Sequence, residues 1–147
     1  MRGRFFGAAG IAVMALLVSA GCTSGVGAAS GLLEREQAAE DRVDTPSPFE
    51  TTAFDPETTR LLGEHDGVRF YFVVDTEARD TGGESDCLLA VPAVEENWLG
   101  LCNGGGEGGG GGIGVGSFRY DLNGYVSPEL AEDEVAVGDY VIAVLDE

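Results

Sequence analysis

The sequence contains no lysine, and its eight basic residues are all arginines, set against 26 acidic residues. It has a single histidine, His65, which leaves few means for a histidine-based metal site or for histidine-dependent catalysis. A surface this acidic repels phosphate polymers and anionic headgroups, which excludes nucleic acid as a partner held by counterion release. The charge favours solubility and spacing from a membrane; attraction of divalent cations or of a basic partner is the alternative role.

Long hydrophobic runs are also missing, except at the start of the chain. Arg2 and Arg4 precede the almost wholly apolar residues 5–20, which together have the layout of an export signal. A membrane-spanning helix needs about 20 apolar residues, so this run is short for a permanent anchor. The sequence therefore predicts a signal peptide over residues 1–21 and a protein that acts outside the cytoplasm.

The signal closes with LVSAGC at residues 17–22, which resembles the bacterial lipobox, in which small residues precede a cysteine that receives a diacylglyceryl group. Ser19 stands where leucine is usual, a position that small residues also occupy in family members. The resemblance implies that Cys22 is lipidated and becomes the first residue of a mature chain of formal charge −20, with six arginines against 26 acids. Its acyl chains would anchor the protein stably to the membrane. The alternatives are a free cysteine after a secretory signal and an uncleaved anchor helix.

Cysteine is scarce, with three in the chain. Lipidation of Cys22 leaves Cys87 and Cys102 as an even pair in a compartment that permits disulfides, so we expect these two to pair. A disulfide that closes a loop of this size stabilises the folded state by about 3 kcal/mol, if its effect is to reduce the entropy of the unfolded chain. A zinc site is disfavoured because it needs four ligands and only one histidine is present.

Residues 22–59 have the composition of a flexible, acidic tether with several prolines. As a coil this tether would span roughly 33 Å and hold the rest of the chain clear of the bilayer. We expect the folded domain to occupy residues 60–147. A few apolar residues of the tether could instead dock on a partner: Leu32, Leu33, Phe49 and Phe54.

The pattern over residues 60–147 predicts an all-β or β-rich domain, a small antiparallel sheet or sandwich of five to six strands with one disulfide. Asp66-Gly67 lies between two apolar runs, a strong β-hairpin signal, and places Gly63 opposite Phe70 and Leu61 opposite Phe72. Alternate residues of the second strand share one face, which we assign to the core. These are Val68, Phe70, Phe72 and Val74.

Two further predicted strands carry the cysteines, over residues 87–91 and 98–102. If Cys87 and Cys102 face each other across antiparallel strands, the numbers of opposed residues sum to 189. That register places Leu89 opposite Gly100 and Val91 opposite Trp98, both reasonable cross-strand pairs.

The last part of the chain adds two predicted strands. Residues 117–123 alternate between apolar and polar side chains, which is typical of a strand with one wet face. Ser127-Pro128 suits the start of a short acidic turn or helix over residues 129–134. Residues 140–145 are continuously apolar, which favours a strand covered on both faces or central in the sheet.

Residues 103–116 contain ten glycines, and they include the spacing Gly109-x-Gly111-x-x-Gly114 of a dinucleotide-binding loop. A true fingerprint of that kind follows a strand and opens a helix, whereas this run leads into a predicted strand. We therefore expect residues 103–116 to form a floppy loop whose ordering would be entropically costly.

Asp75, Glu77 and Asp80 belong to a group of acids between the second and third predicted strands. Carboxylate oxygens are ligands that calcium prefers, but Arg79 falls where an EF-hand needs Asp or Asn. A solvated acidic loop is therefore the preferred interpretation, and these three residues are only weak candidates for metal ligands. The sequence predicts no cofactor. His65 has no evident nucleophile partner, so no catalytic residue is assigned.

Residues 55–68, followed by Cys87-Leu88-Leu89 and a second cysteine, resemble small uncharacterised lipid-anchored or membrane-anchored envelope proteins of high-GC Gram-positive bacteria. The resemblance covers residues 55–102 and implies an anchor, a spacer and a compact extracytoplasmic domain, without an activity. We predict a non-enzymatic binding or accessory module at the outer face of the cytoplasmic membrane, with an envelope protein as partner, bound through a sheet edge. The alternatives are a calcium-dependent or small-ligand binding lipoprotein and a hydrolase that uses two carboxylates.

Overall fold

The computed structural model of the chain describes residues 28–83, 85–94, 97–102, 106–124 and 129–145. The predicted signal peptide, Cys22, Ser127 and Pro128 lie outside these residues. Sheet A consists of β1 (Phe54–His65), β2 (Val68–Asp75), β3 (Asp86–Pro92) and β4 (Leu99–Leu101), in that spatial order. Sheet B consists of β5 (Glu107–Gly112), β6 (Gly116–Asp121), β7 (Glu134–Val137) and β8 (Val141–Val144), in the order β5-β6-β8-β7. All of these pairings are antiparallel, which confirms the predicted β-rich class, and the described ranges contain eight strands instead of the expected five or six.

The predicted first hairpin is confirmed. Asp66 and Gly67 form its turn with φ values of 48° and 75°, the two positive angles that a type I′ turn requires. Gly63 pairs with Phe70 as predicted. The predicted pairing of Leu61 with Phe72 is wrong, because the register shifts between Leu61 and Gly63, and Leu61 pairs with Tyr71.

The core lies between the two sheets and is built from their facing apolar side chains. Sheet A contributes the four residues predicted for it, and all are buried: Val68, Phe70, Phe72 and Val74. Sheet B contributes mainly from β6 and β8: Phe118, Tyr120, Val141 and Ala143. The rings of Phe70 and Phe118 meet edge to face with centroids 5.2 Å apart, a favourable aromatic geometry that joins the sheets.

The predicted disulfide between Cys87 and Cys102 is present, with the two Cα atoms 4.3 Å apart. The predicted register of β3 and β4 is confirmed, since Leu89 pairs with Gly100. The ladder runs only from Leu88 to Ala90 on β3, so the predicted pair of Val91 and Trp98 lies beyond it.

The described part of the predicted tether is folded onto the domain, so the expectation of a flexible tether over residues 22–59 is wrong for residues 28–59. We call residues 28–53 the N-terminal strap. It contains a 3₁₀ helix (Ala28–Glu34) and a short helix α1 (Ser47–Thr51), and β1 begins at Phe54 instead of Arg60. Phe54 is buried, and Val43 and Phe49 pack beside it against the outer face of sheet A.

Two polar side chains fix the strap to β1. Asp41 is fully buried and accepts hydrogen bonds from the guanidinium of Arg35 and from the backbone N–H groups of Ala38 and Leu61. Arg60 is buried as well and donates to the carbonyl oxygens of Leu32 and Arg35, at 3.2 and 2.9 Å. A buried charge is costly without partners, and here Asp41 has the Arg35 guanidinium while Arg60 has carbonyl oxygens, so these contacts tie the two segments together.

The glycine-rich residues also depart from expectation. Of the predicted loop 103–116, residues 107–112 form strand β5 and residues 113–115 form the turn into β6. The prediction for residues 140–145 is confirmed, since β8 lies inside sheet B between β6 and β7. The described residues 129–133 form no helix, and a turn at residues 132 and 133 leads into β7.

Candidate binding surfaces

The glycine-rich strand β5 forms one edge of sheet B. It pairs with β6 along its whole length, from Glu107 opposite Asp121 to Gly112 opposite Gly116, and no described strand pairs with its other side. In an antiparallel edge strand, every second residue turns both its N–H and its C=O outward, so six residues offer roughly three donors and three acceptors. With five glycines, β5 has almost no side chains to cover these groups.

The inward side of β5 explains one of its glycines. A Cβ added to Gly110 would lie 2.7 Å from a methyl carbon of Leu101 and 3.1 Å from the ring of Phe118. Strands β4 and β5 are therefore packed closely across the sandwich at this edge. A larger residue at position 110 would push the two sheets apart, which is a packing reason for glycine there.

The other three sheet edges are short or covered. Strand β4 has three residues and β7 has four. Strand β1 is long, but it contains Pro56 and two register shifts, and the side-chain amide of Gln37 donates to the Pro56 carbonyl at 2.8 Å. These are the usual means by which proteins protect sheet edges. By comparison, β5 carries a single charged side chain, Glu107, at its start.

Glu107 has an unfavourable neighbour across the ladder. It lies opposite Asp121, so two carboxylates face each other at one end of β5. Like charges in directly opposed positions destabilise a strand pair. Within the described residues Glu107 has no ion pair, whereas the Asp121 carboxylate accepts hydrogen bonds from the backbone N–H groups of Asn123 and Gly124.

The outer face of sheet B is held by a bidentate ion pair. Arg119 on β6 and Glu134 on β7 are joined across β8 by N···O distances of 2.9 and 3.0 Å. The hydrogen bond from Arg119 lowers the pKa of Glu134 to about 2, with a further contribution from the Ala131 N–H. This partly exposed pair links β7 to β6, the strand that pairs with β5.

A cleft of about 390 Å³ opens at the end of the sandwich, where the β1–β2 turn, the β5–β6 turn and the end of β8 meet. His65 and Asp66 line its polar side, and the His65 Nε2 lies 3.4 Å from an Asp66 carboxylate oxygen. Its apolar walls come from both sheets and include Phe70, Val115 and Ala143. Its volume falls in the range of small-molecule sites, although the lining of this open cleft exposes more polar than apolar surface.

The structure does not bring together the three weak metal-ligand candidates. Asp75 caps helix α2 (Thr76–Asp80) by accepting a hydrogen bond from the Ala78 N–H at 3.0 Å, and Glu77 and Asp80 lie on that helix. In the described residues, Asp75 is grouped within 4.8 Å only with Cys87 and Cys102. Those sulfurs are joined in the disulfide and cannot act as thiolate ligands.

Sequence reasoning missed both surfaces. It placed His65 beside a turn, which is correct, but gave no sign that Val115 and Ala143 would complete a cleft around it. It treated the glycine run as a loop, and the only available signal for β5 was that the alternating strand β6 follows it after a three-residue turn.

Comparisons with protein-family models, with curated proteins and with solved structures found nothing that matches this chain. Across the described residues, no helix combines the length and apolar character needed to cross a bilayer.

Proposed function

We propose that the protein is a lipid-anchored, non-enzymatic binding module of the cell envelope, held at the outer face of the cytoplasmic membrane by Cys22. Its task is to bind an extended segment of another envelope protein as an additional strand on β5. The observation that carries this proposal is the open glycine edge, because β5 is the longest sheet edge that no strap, bulge or proline covers among the residues that the structure describes. Main-chain hydrogen bonds give affinity in this mode of recognition.

Charge selects the kind of segment that β5 would accept. The mature chain has a formal charge of −20, and two carboxylates, Glu107 and Asp121, lie opposite each other at the start of the edge. A lysine or arginine on an added strand beside Glu107 would offset the repulsion within that pair. The partner segment is therefore extended and basic.

The edge is tested with two synthetic peptides of equal length, one alternating valine and lysine, the other alternating valine and glutamate. We expect the lysine peptide to slow amide hydrogen exchange at Gly108–Gly112 and the glutamate peptide to have no effect. Glu107→Gln should weaken the lysine peptide by roughly threefold, the size of one exposed charge pair. The matched control Glu50→Gln, on helix α1 of the strap, should leave binding unchanged.

Two results would contradict strand addition at β5. One is equal binding of both peptides, or of neither. The other is protection of residues 108–112 that rises with protein concentration in the absence of peptide, since that would assign the edge to a second copy of the chain.

The anchor has its own test. Labelled palmitate should enter the wild-type protein in intact cells and should not enter Cys22→Ala. Equal labelling of both would refute the lipid anchor while leaving the edge proposal standing.

A further inference from the structure

The cleft at the end of the sandwich has a chemical character that is independent of the proposed strand addition. Its walls combine the core faces of both sheets, since Phe70 lies on β2 and Ala143 on β8. The core residues behind this lining remain almost fully buried, with Phe70 at 1% and Val115 at 6% exposure, so the apolar surface open to a ligand lies mainly at the mouth of the cleft. An apolar body of a ligand would replace water there.

Exposed apolar side chains continue this surface at the mouth. Ile113, at the tip of the β5–β6 turn, is 87% exposed, and its neighbours Gly112 and Gly114 line the cleft. Leu145, which follows β8 and lines the cleft itself, is 42% exposed. These two side chains are among the large apolar groups that the described residues leave exposed to solvent.

The polar side of the cleft is anionic. Asp66 holds its carboxylate at the rim, where 86% of the side chain is exposed, and His65 lies behind it. No arginine is among the lining residues in the described part of the chain. In a protein of such negative charge, this rim repels anions and attracts cations.

We propose that this cleft binds a small organic cation with a flat apolar body, such as an arylalkylamine. The aromatic body lies against Ile113 and Leu145 at the mouth, and its ammonium group lies at the Asp66 carboxylate. The two-residue turn formed by Asp66 and Gly67 places Asp66 at this rim.

Three indole probes separate charge from shape: tryptamine is cationic, indole is neutral and indole-3-acetate is anionic. Each is titrated into the isotopically labelled protein up to millimolar concentration, and amide chemical shifts are followed. We expect saturable shifts at residues 65–70 and 112–117, with affinity falling in the order tryptamine, indole, indole-3-acetate. No saturable shift, or equal affinity for the cation and the anion, would overturn the proposal.

Asp66→Asn tests the carboxylate without endangering the fold, because Asn-Gly suits the same turn and asparagine tolerates positive φ. Tryptamine should bind this variant roughly threefold to fivefold more weakly, while indole should bind as before. The control Asp80→Asn changes an exposed acid on α2 and should alter neither. Ile113→Ser should weaken both probes. Unchanged tryptamine binding to Asp66→Asn would refute the assigned site.

Discussion

Asp41 offers the sharpest test of why the strap is folded. Burial by itself raises the pKa of this carboxyl, but the Arg35 guanidinium and the N–H groups of Ala38 and Leu61 outweigh it and lower the pKa from 3.8 to about 2. Such a drop stabilises the folded chain by about 2 kcal/mol, since each tenfold change in proton affinity corresponds to about 1.4 kcal/mol. Asp41→Asn should therefore reduce the free energy of unfolding by about 2 kcal/mol at neutral pH.

The pH dependence of this loss follows from the direction of the change in pKa. The folded-state pKa is lower than that of the unfolded chain, so the stabilisation is complete above about pH 4 and disappears as the pH falls towards 2. The difference between wild type and Asp41→Asn should shrink over the same interval. Urea unfolding followed by the fluorescence of Trp98 measures it, because Trp98 packs in the same cluster as Phe49 of the strap.

Asp44→Asn is the matched control. It makes the same chemical change three residues away, in a side chain that is 72% exposed and lies 3.3 Å from Arg69. An exposed pair of this kind contributes less than about 1 kcal/mol, so the control should change stability little at any pH. A loss in Asp41→Asn no larger than in the control, or one that stays constant between pH 5 and pH 2, would refute the reasoning.

Three further predictions concern stability. Replacing Cys87 and Cys102 together by serine should cost about 3 kcal/mol in urea unfolding, and an unchanged midpoint would contradict a stabilising disulfide. Gly138→Ala should destabilise the protein by several kcal/mol more than Gly82→Ala. Both glycines have positive φ, but only at Gly138 would the added Cβ overlap a backbone atom, the Leu62 carbonyl oxygen. Equal losses in thermal unfolding would show that this contact is unimportant. Tyr71→Phe should leave stability unchanged or raise it by about 1 kcal/mol, because the buried Tyr71 hydroxyl has no hydrogen-bond partner among the described residues; a clear decrease would reveal a partner.

Local sequence patterns predicted the structure correctly where neighbouring residues alone fix the backbone conformation. Asp66-Gly67 strongly favours the tight turn that it forms. The alternating apolar residues of β2 determine which face of the strand enters the core: Val68, Phe70, Phe72 and Val74. The two cysteines fixed the register of β3 and β4 because a disulfide can join only residues that face each other. The strap and β5 escaped prediction for the opposite reason. Their sequences are polar or glycine-rich and have no periodicity of their own.

The sequence by itself determined the β-rich class, the first hairpin, the disulfide and the acidic character of the surface. Only the tertiary structure decided that residues 28–53 lie on sheet A, because Asp41 and Arg60 find their hydrogen-bond partners only when distant segments meet. It also decided that the glycines form an edge strand. Glycine has no preference of its own for an extended conformation, and backbone hydrogen bonds to β6 hold it there. The cleft beside His65 likewise exists only where two turns and β8 meet. Surfaces assembled from distant segments leave no periodic pattern in any one of them.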